Sequence, residues 1–208
     1  MPTFALPTYA VIALAILAAY LVGSIPFAVI MSKLFGLADP RSYGSKNPGA
    51  TNVLRSGNKW AAILTLLGDA AKGWAAVFVA QQTGQTSLVI GLVALAVFFG
   101  HLFPVFLKFK GGKGVATAAG VILALDPWLF LIVIATWLFM AIVFRYSSLA
   151  AVVAAIAAPV ATALIHGDSG GLAFVIGIIA FCLICKHWGN IQRLMAGQEG
   201  KIGSKKKD

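Results

Sequence analysis

Three polar segments interrupt an otherwise apolar chain of 208 residues, and each carries residue types suited to holding an oxyanion. The first reads Gly44-Ser45-Lys46-Asn47-Pro48-Gly49-Ala50-Thr51-Asn52-Val53-Leu54-Arg55. Its glycines let backbone N–H groups approach a ligand, its hydroxyls and amides add donors, and Arg55 offers a planar fork matched to phosphate. The second, Lys108-Phe109-Lys110-Gly111-Gly112-Lys113-Gly114, runs into Val115-Ala116-Thr117 and sets glycines and lysines at the start of a helix. Unsatisfied N–H groups, the positive end of the helix dipole and nearby ammonium groups all favour an anion there. The spacing is not that of a P-loop, because Leu107 stands where glycine is needed and no Ser or Thr follows Lys113, so nucleotide hydrolysis has no support. The third reads Lys186-His187-Trp188-Gly189-Asn190-Ile191-Gln192-Arg193-Leu194 and continues to Gly197-Gln198-Glu199. On a short helix His187, Asn190, Ile191 and Leu194 share one face, as an interfacial helix closing a site requires. Each segment also has an ordinary alternative: polar turns, flexible glycines and an amphipathic tail that keep cations on one side of a membrane.

Ionisable residues inside apolar sequence are the other candidates. His101, in Gly100-His101-Leu102-Phe103-Pro104, is either a functional group or a structural histidine bonded to a neighbouring helix. Asp69 and Lys72 stand three apart on one helix, where mutual neutralisation lowers the cost of each in lipid, so a structural pair is favoured over a proton relay. Gly167-Asp168-Ser169-Gly170-Gly171 matches a serine-protease signature by chance: it sits in a short turn between apolar runs, with no β-barrel to aim a nucleophile.

These residues need a membrane-embedded scaffold. The chain is 60% hydrophobic and 11% charged, where globular chains carry about 25% charged residues. Composition therefore excludes both a soluble globular domain and a disordered chain. Apolar runs predict an all-α, polytopic helical bundle in a single domain over 1–208, with helices at about 8 to 30, 60 to 80, 88 to 107, 114 to 125, 128 to 144, 148 to 165 and 171 to 185. The fourth is short, and a five-span count is its main competitor. Of the 16 basic residues, all but Lys72 fall on one set of junctions, while 81 to 87, 126 to 127 and 166 to 170 hold no Lys or Arg. The positive-inside rule makes the basic side cytoplasmic, with the N-terminus outside and the C-terminus inside. The first run lacks a basic n-region and reads as a retained helix, not a signal peptide. Net charge of +10 then reports orientation, not affinity for nucleic acid. Cys182 and Cys185 lie in an apolar run and suggest neither a disulfide nor a zinc site.

Gly44 to Arg55, Gly100 to Gly114 with its FKGGKGVAT continuation, and HWGNIQRL with Glu199 together resemble the PlsY family of bacterial acyl-phosphate-dependent glycerol-3-phosphate acyltransferases. The resemblance is collinear from Gly23-Ser24 to Glu199 and takes in Asp69 to Gly73 and Arg145 to Ala150. Lys46 departs from the glycine often found there. The resemblance implies seven helices in the bacterial cytoplasmic (inner) membrane and a site on the cytoplasmic face. It also implies transfer of a fatty acyl group from acyl phosphate to glycerol 3-phosphate in phospholipid synthesis, giving lysophosphatidate and inorganic phosphate. By the same resemblance Ser45, Arg55 and Lys113 bind phosphate, with Lys110, Gly111, Gly112 and Gly114 in the same loop. Asn47, Thr51 and Asn52 shape the first loop; Ser148, His187, Asn190 and Glu199 complete the site. Either His101 or His187 could take the glycerol hydroxyl proton, as could the donor's own phosphate.

No metal or other cofactor is expected, since the mixed anhydride already carries a good leaving group and no carboxylate cluster is present. Partners are the two phosphate substrates and membrane lipid. Two rivals fit less well. A small anion transporter or channel would suit Asp69, Lys72 and His101 but needs access from both sides, and no internal repeat is apparent. A CDP-alcohol phosphotransferase needs several metal-binding aspartates.

Overall fold

The structure is a computed structural model that describes residues 8–167 and 170–203. Asp168 and Ser169 of the protease-like motif and Lys205 to Lys207 of the basic tail lie outside the described residues. Every regular element among the described residues is helical, and the chain divides into two compact units, Met1–Ala124 and Leu125–Asp208.

The first unit holds α1 (Thr8–Gly23), α2 (Phe27–Leu34), the short α3 (Ala50–Leu54), α4 (Lys59–Gln82), α5 (Ser87–Leu102), a 3-10 turn at Val105–Leu107, and α6 (Val115–Leu125). The expected helix over 8 to 30 is instead two helices bent by 41°. Pro26 has no N–H to continue the ladder and drives Ile25 out of helical backbone, so the chain unwinds at Ser24–Pro26. The expected span of 88 to 107 is met by an apolar stretch over Ser87–Leu107, within which α5 ends at Leu102 because Pro104 follows within two residues and the chain tightens into the 3-10 turn. Asn58 caps α4 by accepting from Ala61 N, and Thr86 caps α5 by accepting from Val89 N.

Helices of this unit meet backbone to backbone where the sequence supplies glycine. A Cβ on Gly23 would overlap Val97 O, on Gly100 it would overlap Tyr20 O, and on Gly120 it would overlap Ala70 O. Gly23 and Gly100 thus let α1 lie on α5, and Gly120 lets α6 lie on α4. In lipid, where apolar contact with tails competes with apolar contact between helices, such small residues carry much of the packing.

The second unit holds α7 (Pro127–Phe144), α8 (Ser147–His166), α9 (Gly170–Lys186) and α10 (Trp188–Met195). Asp126 caps α7, accepting from Trp128 N at 2.8 Å and Leu129 N at 3.1 Å, and its carboxylate also meets His166. Alanines at 150, 151, 154, 155, 158 and 161 give α8 a narrow buried face on which α7 and α9 pack. α9 and α10 bend by 56° at His187, as expected of an interfacial helix after a span.

Outward-facing Leu131, Ile132, Phe139 and Ile142 of α7, with Leu66, Leu67 and Phe78 of α4, are those of a chain whose solvent is hydrocarbon. Four helical segments are long and apolar enough to cross a membrane, or six if each bent pair is one span; α6 is too short to count among them. The protein is a multi-pass, all-helical membrane protein.

Candidate active site

In the first unit the loop between α2 and α3 is stapled by Asn52. Its side chain is buried; Nδ2 donates to Pro40 O at 2.6 Å and Tyr43 O at 3.2 Å, while Oδ1 accepts from Ser45 N at 3.0 Å and Arg55 Nη1 at 3.3 Å. Four partners on one amide fix the loop and hold Arg55 against Ser45. Ser45, Lys46, Thr51 and Arg55 stay exposed, and Asn47 is half-buried. Gly44 has φ +57° and lies so close to Asn52 Oδ1 that no Cβ fits. Lys46 adopts φ +56°, which costs an L-residue roughly 1–2 kcal/mol and explains why glycine suits that position. Arg41 is taken up elsewhere: it clasps Asp39 at 2.6 Å and holds that carboxyl below its ordinary range by a side-chain hydrogen bond.

The second loop is folded against the end of α5. Gly112 N–H donates to His101 O at 3.1 Å, so this amide is committed to the protein and not to a ligand. A Cβ on Gly111 would overlap His101 O and Pro104, one on Gly112 would overlap the imidazole Nε2, and one on Gly114, at φ +87°, would overlap Phe98. The glycines are there for close approach. Lys108 and Phe109 follow one another in left-handed backbone, at φ +52° and +62°, a strained pair of the kind that gathers at functional loops. Lys110 is exposed and Lys113 half-buried, two residues ahead of α6, whose leading N–H groups have no intrahelical carbonyl.

His101 is 8% exposed and its Nδ1 lies 3.3 Å from Asp69 Oδ1, which also pairs with Lys72 Nζ at 2.7 Å. The Asp69–Lys72 pair is the one expected. His101 of α5 reaches the neighbouring helix α4, as one of its two readings expected, but that its partner is Asp69 was not legible, because nothing in sequence sets residues 69 and 101 side by side.

In the second unit the third segment gathers on Glu199. Its carboxylate accepts from Ser148 Oγ at 2.7 Å, Asn190 Nδ2 at 2.6 Å and Arg193 Nε at 2.8 Å. Burial pushes the carboxyl up, but the hydrogen bonds from Asn190, Ser148 and Arg193 outweigh it and hold Glu199 below the ordinary glutamate range. His187 and Asn190 are buried while Trp188 and Met195 are exposed, which is the face division the sequence predicts. His187 Nδ1 donates to Leu183 O at 2.8 Å. Ile202 N donates to Arg145 O at 2.6 Å and Arg145 Nη2 to Ile202 O at 3.1 Å, so residues 199–202 form a strap across the start of α8. Among the described residues no three His, Cys, Asp or Glu side chains gather as a metal set.

Comparison with known proteins bears on this arrangement. Residues 13–197 match the family model described as glycerol-3-phosphate acyltransferase. A glycerol-3-phosphate acyltransferase of Dechloromonas aromatica is 73% identical over 196 residues, covering 94% of this chain and 98% of the relative. One of Burkholderia cenocepacia is 60% identical over 198 residues, covering 94% and 93%. The crystal structure of PlsY (YgiH), an integral membrane glycerol 3-phosphate acyltransferase, in its glycerol 3-phosphate form, superposes with a TM-score of 0.88 at 38% identity, covering 93% of this chain and 96% of that one. Its lysophosphatidic acid form gives 0.86 at 36% identity, with the same coverage. With the first two polar segments and the third as far as Gly197 inside the matched residues, the chain belongs to the glycerol-3-phosphate acyltransferase family.

Proposed function

We propose that the protein transfers a fatty acyl group from acyl phosphate to a hydroxyl of glycerol 3-phosphate, releasing lysophosphatidate and inorganic phosphate. One observation carries this reading: Gly111 and Gly112 are pressed on His101, with Gly112 N–H bonded to its carbonyl, so the glycine-rich turn that carries Lys113 is held just ahead of the N-terminus of α6. In this reading Lys113 and Lys110 hold the phosphate of glycerol 3-phosphate, with Gly114 starting the helix. Ser45 and Arg55, fixed by Asn52 and flanked by Asn47 and Thr51, hold the second phosphate. By the family resemblance Ser148, His187 and Asn190 serve the same reaction, with Glu199 fixing Ser148 and Asn190.

The glycerol oxygen attacks the acyl carbonyl, the carbonyl–oxygen bond to phosphate breaks, and the departing phosphate carries away the electron pair. The hydroxyl proton goes to that phosphate, to His187 or to His101. Holding two anions together supplies proximity, and the cations stabilise the charge that shifts onto phosphate. The fatty chain stays in lipid.

The whole chain, 1–208, acts in this reading as a single acyltransferase domain of seven spans in a bacterial cytoplasmic membrane. Its N-terminus is outside, and its C-terminus and site are inside. The charge asymmetry supports that orientation, and a Gln82→Cys chain labelled in intact cells by an impermeant maleimide checks it; labelling only after permeabilisation contradicts it. The activity is tested by incubating purified protein with acyl phosphate and glycerol 3-phosphate. Equal amounts of phosphate and lysophosphatidate are expected, and phosphate release that ignores glycerol 3-phosphate contradicts the reading.

A further inference from the structure

Asp69 and Lys72 belong to none of the three polar segments, and the reaction as derived uses neither. Yet their side chains are 4% and 3% exposed, deep among apolar helices. A buried ion pair is a weak stabiliser compared with apolar residues of the same volume, so its presence calls for another use.

The cluster joins pieces of backbone that have no regular structure of their own. Lys72 Nζ donates to Ile25 O at 2.8 Å, in the break between α1 and α2. Asp69 Oδ1 takes the other side of that ammonium and faces His101 Nδ1. His101 in turn accepts the Gly112 N–H on its carbonyl, and its ring Nε2 fills the space a Gly112 side chain would need. A small pocket lies among Ser24, Pro26, Asp69, Lys72, His101 and Gly112.

We propose that Asp69 is a positioning residue for acyl transfer. By accepting from His101 Nδ1–H it fixes the tautomer and rotation of the ring, and the ring fixes Gly111–Gly112 and so the approach of Lys113. Lys72 neutralises the carboxylate and ties the same cluster to the helix break. The inference rests on the reading of residues 108–114 as the seat of glycerol 3-phosphate.

The test uses two readouts in a full-length chain with Cys182→Ala and Cys185→Ala. Leu107 is 9% exposed in the turn preceding the loop, so maleimide labelling of Leu107→Cys reports the loop's opening without any reaction. Acyl transfer is measured in parallel without that cysteine. Asp69→Ala with Lys72→Met removes the carboxylate and leaves no unpaired ammonium. It is expected to label about tenfold faster or more, with KM for glycerol 3-phosphate raised roughly ten- to hundredfold and kcat little changed. Asp69→Asn with Lys72→Met restores an acceptor for Nδ1–H and should return both readouts toward the parent. A merely structural pair would lower the yield of folded protein and leave KM where it was.

Should the alanine variant not fold, His101→Phe keeps the ring and the Asp69–Lys72 pair, and is expected to show the same faster labelling. Folded variants with unchanged labelling overturn the proposal, and so does faster labelling with unchanged KM. A parent protein without acyl transfer contradicts the proposed function instead, and the labelling arm still decides whether Asp69 holds the loop.

Discussion

Asp69 and Glu199 are two inward-turned carboxylates that organise the polar groups of their respective units, and they are satisfied in opposite ways. Asp69 sits among apolar helices against an ammonium and an imidazole. Glu199 lies in the tail and takes two neutral donors, Ser148 and Asn190, and one half-exposed guanidinium. The first arrangement balances charge and has little tolerance for losing a partner, because whichever ion remains is stranded in low dielectric. The second distributes one charge, itself 7% exposed, over three hydrogen bonds, of which only the Arg193 donor is open to water. The difference predicts where the molecule is brittle.

The largest effect is expected for Lys72→Met, which strands Asp69. Loss of one member of a buried pair costs about 3–5 kcal/mol, read as a lowered unfolding midpoint in detergent, and Asp69→Ala on the same background should recover part of it. Next comes Gly111→Ala, whose Cβ meets backbone at His101 and the Pro104 ring. About 1–3 kcal/mol and a displaced loop are expected. Gly57→Ala is its control, since Gly57 has φ +89° but open space around it, so only backbone strain of about 1–2 kcal/mol applies.

Glu199→Gln should cost less than Lys72→Met, about 1–2 kcal/mol, because Ser148 and Asn190 keep an acceptor. Acid sharpens the contrast. A carboxyl held below its ordinary value contributes stability that is present above the unfolded glutamate pKa, near about 4.3, and is lost as pH falls through the depressed folded value. The strap is therefore expected to stay closed at neutral and mildly acid pH and to open only in stronger acid. Hydrogen exchange at the Ile202 amide follows this, and exchange that accelerates above pH 6 contradicts it. The smallest effect belongs to Arg41→Ala, since the Asp39–Arg41 pair is exposed and worth about 0–1 kcal/mol by thermal unfolding.

Much of this was legible in the sequence, for identifiable reasons. Long apolar runs fixed the type and approximate place of α4, α5 and α7 to α9, because hydrocarbon leaves the backbone no option but to pair within each segment. The pairing of Asp69 with Lys72 followed from helical spacing. The unwinding at Pro26 was signalled and overlooked, since a 23-residue apolar run outweighed a single proline. The partnership of His101 with Asp69 and the convergence of Ser148, Asn190 and Arg193 on Glu199 could not be read. They depend on how separate helices meet, and residues 51 apart carry no periodicity linking them. The glycines of residues 111 to 114 were legible as important but for an incomplete reason: they admit the His101 ring and the Phe98 ring as well as any ligand.

The account turns on Lys113, and steady-state kinetics of a folded Lys113→Ala protein test it most directly. Removing one charged hydrogen-bond partner of a phosphate costs about 1.5–3 kcal/mol, so KM for glycerol 3-phosphate is expected to rise roughly ten- to a hundredfold, with kcat nearly unchanged. Lys59→Ala, at the exposed start of α4, should leave both constants alone. A Lys113→Ala protein with unaltered KM and kcat would contradict the assignment and reduce the glycine-rich loop to a cationic anchor at the membrane surface.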